Sequence, residues 1–197
     1  MLYTVGPVYV APDTLQSMTK PMITHRSPEY KELHAGIVDK IKKTLDTDMD
    51  VFLVSGSATV FNEGAIRNAV SDRMLGITNG SFGNRLIEIG ELNGKVVDKV
   101  QVPWGKAMRP EDIAGKVGKD TEAVCWCANE SSTGVFSDSV AISKAVSEQN
   151  PDALKIVDAV TAAYTKDLRV KDMDADAIIF GTQKALALPP GMAIMLC

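Results

Sequence analysis

Seven short apolar runs recur along the chain between stretches of helical periodicity, and this alternation constrains the fold more than any other feature. The runs cover residues 51–54, 74–78, 96–102, 123–128, 153–158, 175–180 and 192–196. Apolar runs of this length, bounded by turn residues, are typical of buried strands. Helical patterns between such strands are typical of a mostly parallel sheet covered on both faces. We therefore predict an α/β three-layer sandwich with a seven-stranded, mostly parallel sheet.

The connections between the runs refine this prediction. Helical patterns cover residues 29–45, 60–69, 84–92 and 138–148, and a further helix is predicted to open at Arg109. The segment 181–191 before the last run contains Pro189 and Pro190 and no helical pattern, so the last strand is predicted to be antiparallel. Prolines punctuate residues 1–30, which we predict to be an irregular N-terminal segment preceding one domain over residues 31–197.

Composition excludes several classes of function. A net charge of -4 gives no electrostatic reason to expect nucleic acid or an anionic membrane as a partner. The apolar runs are too short to span a bilayer, and the N-terminus lacks a secretory signal, so a cytoplasmic protein is expected. Three cysteines are an odd number, which fits a reducing compartment. Cys125 and Cys127 have the wrong spacing for a zinc site and are predicted to be core thiols, and no metal site is expected.

Small and polar residues end or follow five of the predicted strands. Because the carboxyl ends of parallel strands meet at one edge of a sheet, and ligands bind there, these clusters predict one functional site. The clusters are Ser55–Thr59, Asn79–Gly83, Asn129–Gly134, Asp158 and Gly181–Lys184.

Lys184 is the centre of the predicted site. It follows an apolar run, and its sequence neighbours include no acid that could pair with it. Partial removal from water would lower the pKa of its amine and make it a nucleophile able to form a Schiff base. The alternative is a solvated loop lysine, since buried lysines are rare.

The first and second clusters suggest an anion and a flat ring as ligands. The backbone N–H groups of Ala58 and Thr59 at a helix start, with the hydroxyls of Ser57 and Thr59, could hold an anion; ordinary helix capping is the alternative. Phe82 could stack on a flat ring, or it could be a core aromatic under a loop.

Two further clusters supply polar partners for such a ring. Asp158 could pair with a protonated ring nitrogen, or it could cap the following helix. The hydroxyls of the Asn129–Gly134 segment could bind a phenolic oxygen, or they could cap the next helix. Together with Lys184, these groups match the phosphate, ring face, phenolic oxygen, ring nitrogen and aldehyde of pyridoxal 5'-phosphate (PLP).

In these motifs the sequence resembles the class V aminotransferases among the fold-type I PLP enzymes, especially the alanine–glyoxylate and serine–pyruvate aminotransferases. The matching motifs are Gly6-Pro7, His25-Arg26-Ser27, Ser55-Gly56-Ser57-Ala58-Thr59, Asn79-Gly80-Ser81-Phe82-Gly83-Asn84-Arg85, Glu130-Ser131-Ser132-Thr133-Gly134, Val157-Asp158-Ala159-Val160, Gly181-Thr182-Gln183-Lys184-Ala185-Leu186 and Pro189-Pro190-Gly191.

The resemblance implies the large domain of a PLP-dependent transferase and a role for each matching residue. Lys184 would carry the cofactor as a Schiff base and shuttle the proton at the substrate carbon. Asp158 would hold the ring nitrogen, Phe82 and Val160 would cover the two ring faces, and Ser131 would lie near the phenolic oxygen. The phosphate would be held by four residues: Ser57, Ala58, Thr59 and Gln183.

The resemblance also implies an amino group transfer from a small amino acid of the serine or alanine type to a 2-oxo acid such as glyoxylate or pyruvate. Family members are about twice as long, so the small C-terminal domain, with its carboxylate-binding arginine, would be absent from this chain, which alone would be inactive. A homodimer is expected because the family builds its sites between subunits. The alternatives are lyase or desulfurase-like chemistry, phosphonate or phosphoserine aminotransfer, and a non-catalytic truncated relative or subunit.

Overall fold

The computed structural model describes residues 2–165 and 168–197. Its strands are β1 (Val51–Ser55), β2 (Arg73–Thr78), β3 (Val96–Gln101), β4 (Ala123–Cys127), β5 (Asn129–Glu130), β6 (Val135–Phe136), β7 (Leu154–Asp158), β8 (Ala177–Gly181) and β9 (Met192–Leu196). Its α-helices are α1 (Pro12–Ser17), α2 (Pro28–Leu45), α3 (Thr59–Ala69), α4 (Ser81–Leu92) and α5 (Ser139–Gln149).

Seven of these strands form one sheet in the order β1-β9-β8-β7-β4-β2-β3. All neighbouring pairs are parallel except those of β9, which is antiparallel to both β1 and β8. The predicted seven-stranded, mostly parallel sheet with an antiparallel last strand is therefore confirmed. Since β9 returns antiparallel to β8, the short segment 181–191 is enough to connect them.

The sheet separates two apolar cores, which gives the three layers. Helices α3 and α4 cover one face, where Ile66 and Leu86 pack against strand residues that include Cys125. Helices α2 and α5 cover the other face, where Ile41 and Ile142 lie in the cluster that contains Trp126. Alternation along β4 sends neighbouring side chains to opposite cores.

The two cysteines of β4 are core thiols, as predicted. Cys125 and Cys127 are both buried and unpaired on the same face of the sheet. Burial raises the pKa of the Cys125 thiol to about 12, so the thiolate is disfavoured. Within the described ranges, no His, Cys, Asp and Glu side chains form a group of three that could hold a metal ion.

Three local features differ from the prediction. The helix expected at Arg109 is a single 3-10 turn, Pro110–Ile113, and Gly115 soon follows with a φ of +67° that no helix accommodates. Phe82 lies in the first turn of α4, whereas the sequence predicted a loop there. The segment after β4 forms the small hairpin of β5 and β6, which has no strand pattern in the sequence. None of the helices in the described part of the chain is long and apolar enough to cross a membrane.

Candidate active site

The five polar clusters meet at the carboxyl edge of the sheet around one cavity of about 480 Å³. All nine predicted site residues line it: Ser57, Ala58, Thr59, Phe82, Ser131, Asp158, Val160, Gln183 and Lys184. The N-terminal segment, helices α3 and α4 and strand β5 complete the lining with Val5, Gly6, Pro7, Asn62, Ser81, Arg85 and Asn129. The sheet topology thus gathers residues from across the sequence into one site, at the strand carboxyl ends where ligands bind in open α/β sheets.

Lys184 is a buried lysine, only 8% exposed, so the alternative of a solvated loop lysine is wrong. Its Nζ donates to the carbonyl oxygen of Val5 at 2.8 Å and lies 3.5 Å from Ser131 Oγ. Among the described residues, no carboxylate lies within ion-pair distance of it. Burial lowers the pKa of the amine, and the charge of Asp158 only partly opposes this. A neutral, nucleophilic amine is thereby favoured.

The N-terminal segment lies directly over the Lys184 side chain. Val8 N donates to Gln183 O at 3.1 Å, which fixes the segment beside the loop after β8. Gly6 has a φ of +146°, and a Cβ placed there would lie 2.7 Å from Lys184 Cδ. Position 6 therefore requires glycine for two independent reasons, the backbone angle and the close approach of the lysine.

Asp158, at the end of β7, is a buried carboxylate that is 6% exposed. Its Oδ1 accepts from Val160 N at 3.0 Å, and its Oδ2 accepts from Asn62 Nδ2 at 2.8 Å. The residues that follow form turns, so Asp158 fixes a turn and does not cap a helix. Burial raises the pKa of Asp158, while the bonds from Val160 N and Asn62 oppose that rise.

The start of α3 forms an open anion-binding surface. Its N-cap is Ala58, and no side chain caps the helix, so the capping alternative for Ser57 and Thr59 is wrong. In the described part of the chain, the N–H groups of Ala58 and Thr59 have no backbone acceptor. Free N–H groups at the positive end of a helix, beside two hydroxyls, suit a phosphate.

The aromatic ring of Phe82 is 47% exposed at the cavity, so it is not a core aromatic. Its position is set by Glu130, which is fully buried and accepts from Phe82 N and Gly83 N at 3.0 Å each. The other carboxylate oxygen of Glu130 accepts from Ser132 N and Ser132 Oγ. Glu130 thus joins the start of α4 to the loop after β4.

The residues that line the cavity match the chemical groups of PLP. A buried amine lacks an acidic partner, a buried carboxylate lines the same cavity, and a helix start has free N–H donors. A half-exposed aromatic ring and a hydroxyl near the amine complete the set. An aldehyde, a protonated ring nitrogen, a phosphate, a ring face and a phenolic oxygen would each find a chemically matched partner here.

Comparison with known proteins places the chain in a family. The sequence model of the family described as Aminotransferase class-V matches residues 24–197 of this chain. An uncharacterized aminotransferase of Methanocaldococcus jannaschii is 34% identical over 98% of this chain and 51% of its own. A serine–glyoxylate aminotransferase of Arabidopsis thaliana is 29% identical over 98% of this chain and 50% of its own. The structure of ureidoglycine–glyoxylate aminotransferase from Bacillus subtilis superposes with a TM-score of 0.92 at 30% identity, over 98% of this chain and 50% of that one.

This chain belongs to the class V aminotransferase family. Membership implies PLP as the cofactor, in agreement with the groups that line the cavity. The chain spans about half the length of the curated relatives that it matches.

Two residues that position the site were not predicted from the sequence: Asn62, which lines the cavity, and Glu130, which holds the backbone of Phe82. Asn62 lies on the buried face of α3, a helix that the sequence predicts from its apolar periodicity. A polar side chain on a buried helix face needs a hydrogen-bond partner, and this could have marked Asn62 as a site residue. Glu130 opens the motif Glu130-Ser131-Ser132-Thr133-Gly134. Its hydrogen bonds from Phe82 N and Gly83 N join positions almost fifty residues apart, and no local sequence pattern predicts them.

Proposed function

We propose that the chain is the cofactor-binding half of a PLP-dependent aminotransferase. The reaction is transfer of an amino group from a small amino acid of the serine or alanine type to a 2-oxo acid such as glyoxylate or pyruvate. The single observation that supports this most is the cavity shared by buried Lys184, which forms no ion pair with the residues that the structure describes, and buried Asp158. Solubility or stability explains neither a buried amine nor a buried carboxylate.

PLP, when bound, supplies an aldehyde and an electron-withdrawing ring that together weaken the bonds at the α-carbon of an amino acid. In the proposed site Lys184 would hold the cofactor through Nζ and, when released from it, would take and return the proton at that carbon. Its lowered pKa favours the neutral amine needed for this role.

The remaining residues bind and orient the cofactor. Asp158 would accept a hydrogen bond from the protonated ring nitrogen, Phe82 and Val160 would cover the ring faces, and Ser131 would contact the phenolic oxygen. Ser57, Ala58, Thr59 and the side chain of Gln183 would hold the phosphate at the start of α3. The free N–H groups of Ala58 and Thr59 support this orientation.

The acceptor is the better supported of the two substrates. Serine–glyoxylate and ureidoglycine–glyoxylate aminotransferases share glyoxylate and differ in the amino donor. Glyoxylate is therefore the acceptor to assay first, with serine and alanine as donors.

We further propose that residues 1–30 form an N-terminal segment and residues 31–197 the large domain. A small C-terminal domain outside this chain would bind the substrate carboxylate. The whole protein is proposed to be a cytoplasmic homodimer; the unpaired thiols of the chain agree with a reducing compartment.

The first experiment tests the cofactor site directly. The purified chain is mixed with PLP, its visible spectrum is recorded, and borohydride then fixes any lysine adduct for mapping by mass spectrometry. We expect a protein-bound visible band and a label on Lys184, both lost in Lys184→Met. Lys155 is a control within the same sample, because it is also buried but is paired with Asp174 and Asp176.

A label scattered over exposed lysines, or no band, would contradict the proposal for this chain. Repeating the measurement on a protein that includes the missing half then separates an incomplete site from a non-catalytic relative. The whole protein is assayed for glyoxylate-dependent amino transfer, because lyase chemistry consumes no 2-oxo acid. The chain alone is expected to show little or no turnover.

A further inference from the structure

Helix α3 places one buried amide against the Asp158 carboxylate. Asn62 lies one turn after Ala58, is buried, and donates from Nδ2 to Asp158 Oδ2 at 2.8 Å. An ionised carboxylate offers only acceptors, so the N–H₂ end of the amide must face it. The geometry of this pair therefore matches the charged form of Asp158.

The other end of the same amide has no protein partner. Asn62 lines the cavity, and its Oδ1 accepts no hydrogen bond from the residues that the structure describes. A buried amide oxygen is normally paired with a donor. A donor inside the cavity, on a ligand or on a water molecule held with it, satisfies this need.

Asp158 is held at two points in this arrangement. Val160 N fixes Oδ1 and Asn62 Nδ2 fixes Oδ2, so the carboxylate cannot rotate without losing a bond. The other groups that act on its charge are Glu130 and Lys184, with the Cys127 thiol also close to it. Burial and the Glu130 charge favour the neutral acid, whereas the Asn62 and Val160 donors and the Lys184 charge favour the carboxylate.

We propose that Asn62 is a positioning residue that fixes the orientation and the ionised form of Asp158 for the ring nitrogen of the cofactor. This inference rests on the proposed function. Without the Asn62 donor, a proton shared between the ring nitrogen and Asp158 moves toward the carboxylate. The ring then loses its positive charge, and the bound cofactor loses its charged partner.

The test uses PLP labelled with ¹⁵N in the ring and the 197-residue chain. Asn62→Leu removes the amide at similar volume, and Asn62→Ala is the second variant in case leucine prevents folding. Asn68→Leu is the matched control, because Asn68 is an exposed residue of the same helix whose amide donates to Gly64 O. Thermal unfolding verifies that each chain is folded.

We expect both Asn62 variants to bind PLP about tenfold more weakly, the loss of one hydrogen bond to a charged group. Their ¹⁵N signal should move toward that of the unprotonated ring, whereas Asn68→Leu should match the wild type in both measurements. A packing role for Asn62 would lower the unfolding temperature without moving the ¹⁵N signal.

Two results would overturn this inference, and they are distinguishable. Wild-type affinity and an unmoved ¹⁵N signal in a folded Asn62 variant would refute the role of Asn62 and leave the cofactor site intact. A wild-type chain that binds no PLP would refute the inference together with the proposed function.

Discussion

Asp158 pairs its oxygens with two donors and yet has a raised pKa, because burial outweighs both hydrogen bonds. Folding therefore favours the protonated acid relative to the unfolded chain. Below the ordinary pKa of 3.8 the carboxyl group costs no stability, and stability falls as the pH rises through the raised pKa. The ionised form of Asp158 therefore lowers the stability of the cofactor-free chain.

Asp158→Asn should therefore stabilise the cofactor-free chain at neutral pH. The new amide cannot ionise, and the Asn62 amide can turn so that its unpaired Oδ1 accepts from the new N–H₂ group. We expect the free energy of unfolding in urea to rise by about 1 kcal/mol at pH 7. The gain should shrink toward pH 4, and PLP should bind at least tenfold more weakly.

The control for this substitution is Asp152→Asn, at an exposed position, which should change neither quantity. If Asp158→Asn were less stable than the wild type at pH 7, the cost that we assign to the buried charge would be refuted.

Residue types and spacing were enough to predict that eight of the nine side chains meet in the site, and the family resemblance supplied the ninth, Val160. These residues end a strand, follow one or open a helix, and parallel strands bring those positions to one edge. The partners of those residues were not predictable in this way. The bond from Asn62 to Asp158 depends on how α3 is rotated against β7, which no spacing in the sequence records.

At the scale of elements, the start of α4 is capped by a residue from another part of the chain. Gly80 is its N-cap and supplies no side chain, and Glu130 accepts from Phe82 N and Gly83 N in its place, while Ser132 Oγ accepts from Ser81 N. A Cβ at Gly80 would lie 2.4 Å from Glu130 Cγ, so the glycine makes room for the carboxylate. The sequence predicted a helix start at Asn84 because this distant cap has no local signal.

Glu130→Gln should destabilise the chain and loosen the start of α4. Glutamine has only one side-chain oxygen, and an N–H₂ group replaces the second carboxylate oxygen. That N–H₂ group would face donors from which the carboxylate oxygen accepts in the wild type, so those hydrogen bonds would be lost. We expect a loss of about 2 kcal/mol in the free energy of unfolding and faster hydrogen exchange at Phe82 and Gly83. Both are measured on the cofactor-free chain by urea titration and NMR.

Glu88→Gln is the matched control, because Glu88 is an exposed residue of the same helix in an ion pair with Arg85. It should change stability by less than about 0.5 kcal/mol. Unchanged exchange at Phe82 in Glu130→Gln would show that α4 does not depend on this cap.

At the scale of the whole molecule, apolar side chains remain exposed on α2 and on the N-terminal segment. They include Leu33 and Ile37 on α2 and Tyr3, Val5 and Tyr9 in the segment. The segment also lies over Lys184, so a partner covering this surface would be continuous with the site. This agrees with the proposed homodimer.

Sedimentation velocity should therefore find a dimer whose dissociation is promoted by the double variant Leu33→Lys and Ile37→Lys. Two charges on an apolar interface must be desolvated in the dimer, so the dissociation constant should rise at least a hundredfold. Leu92→Lys, at an exposed position at the end of α4, is the control and should leave the dimer intact. A monomeric wild type, or an unaffected double variant, would contradict the prediction.

The place of β9 in the sheet determines when β1 can join the sheet during synthesis. In the described part of the chain, the only strand that pairs with β1 is β9, which links it to β8. Synthesis makes β1 long before β9, so β1 has no partner strand until residues 192–196 emerge. A chain released just before Met192 would contain all nine predicted site residues and would lack the strand that joins β1 to the sheet.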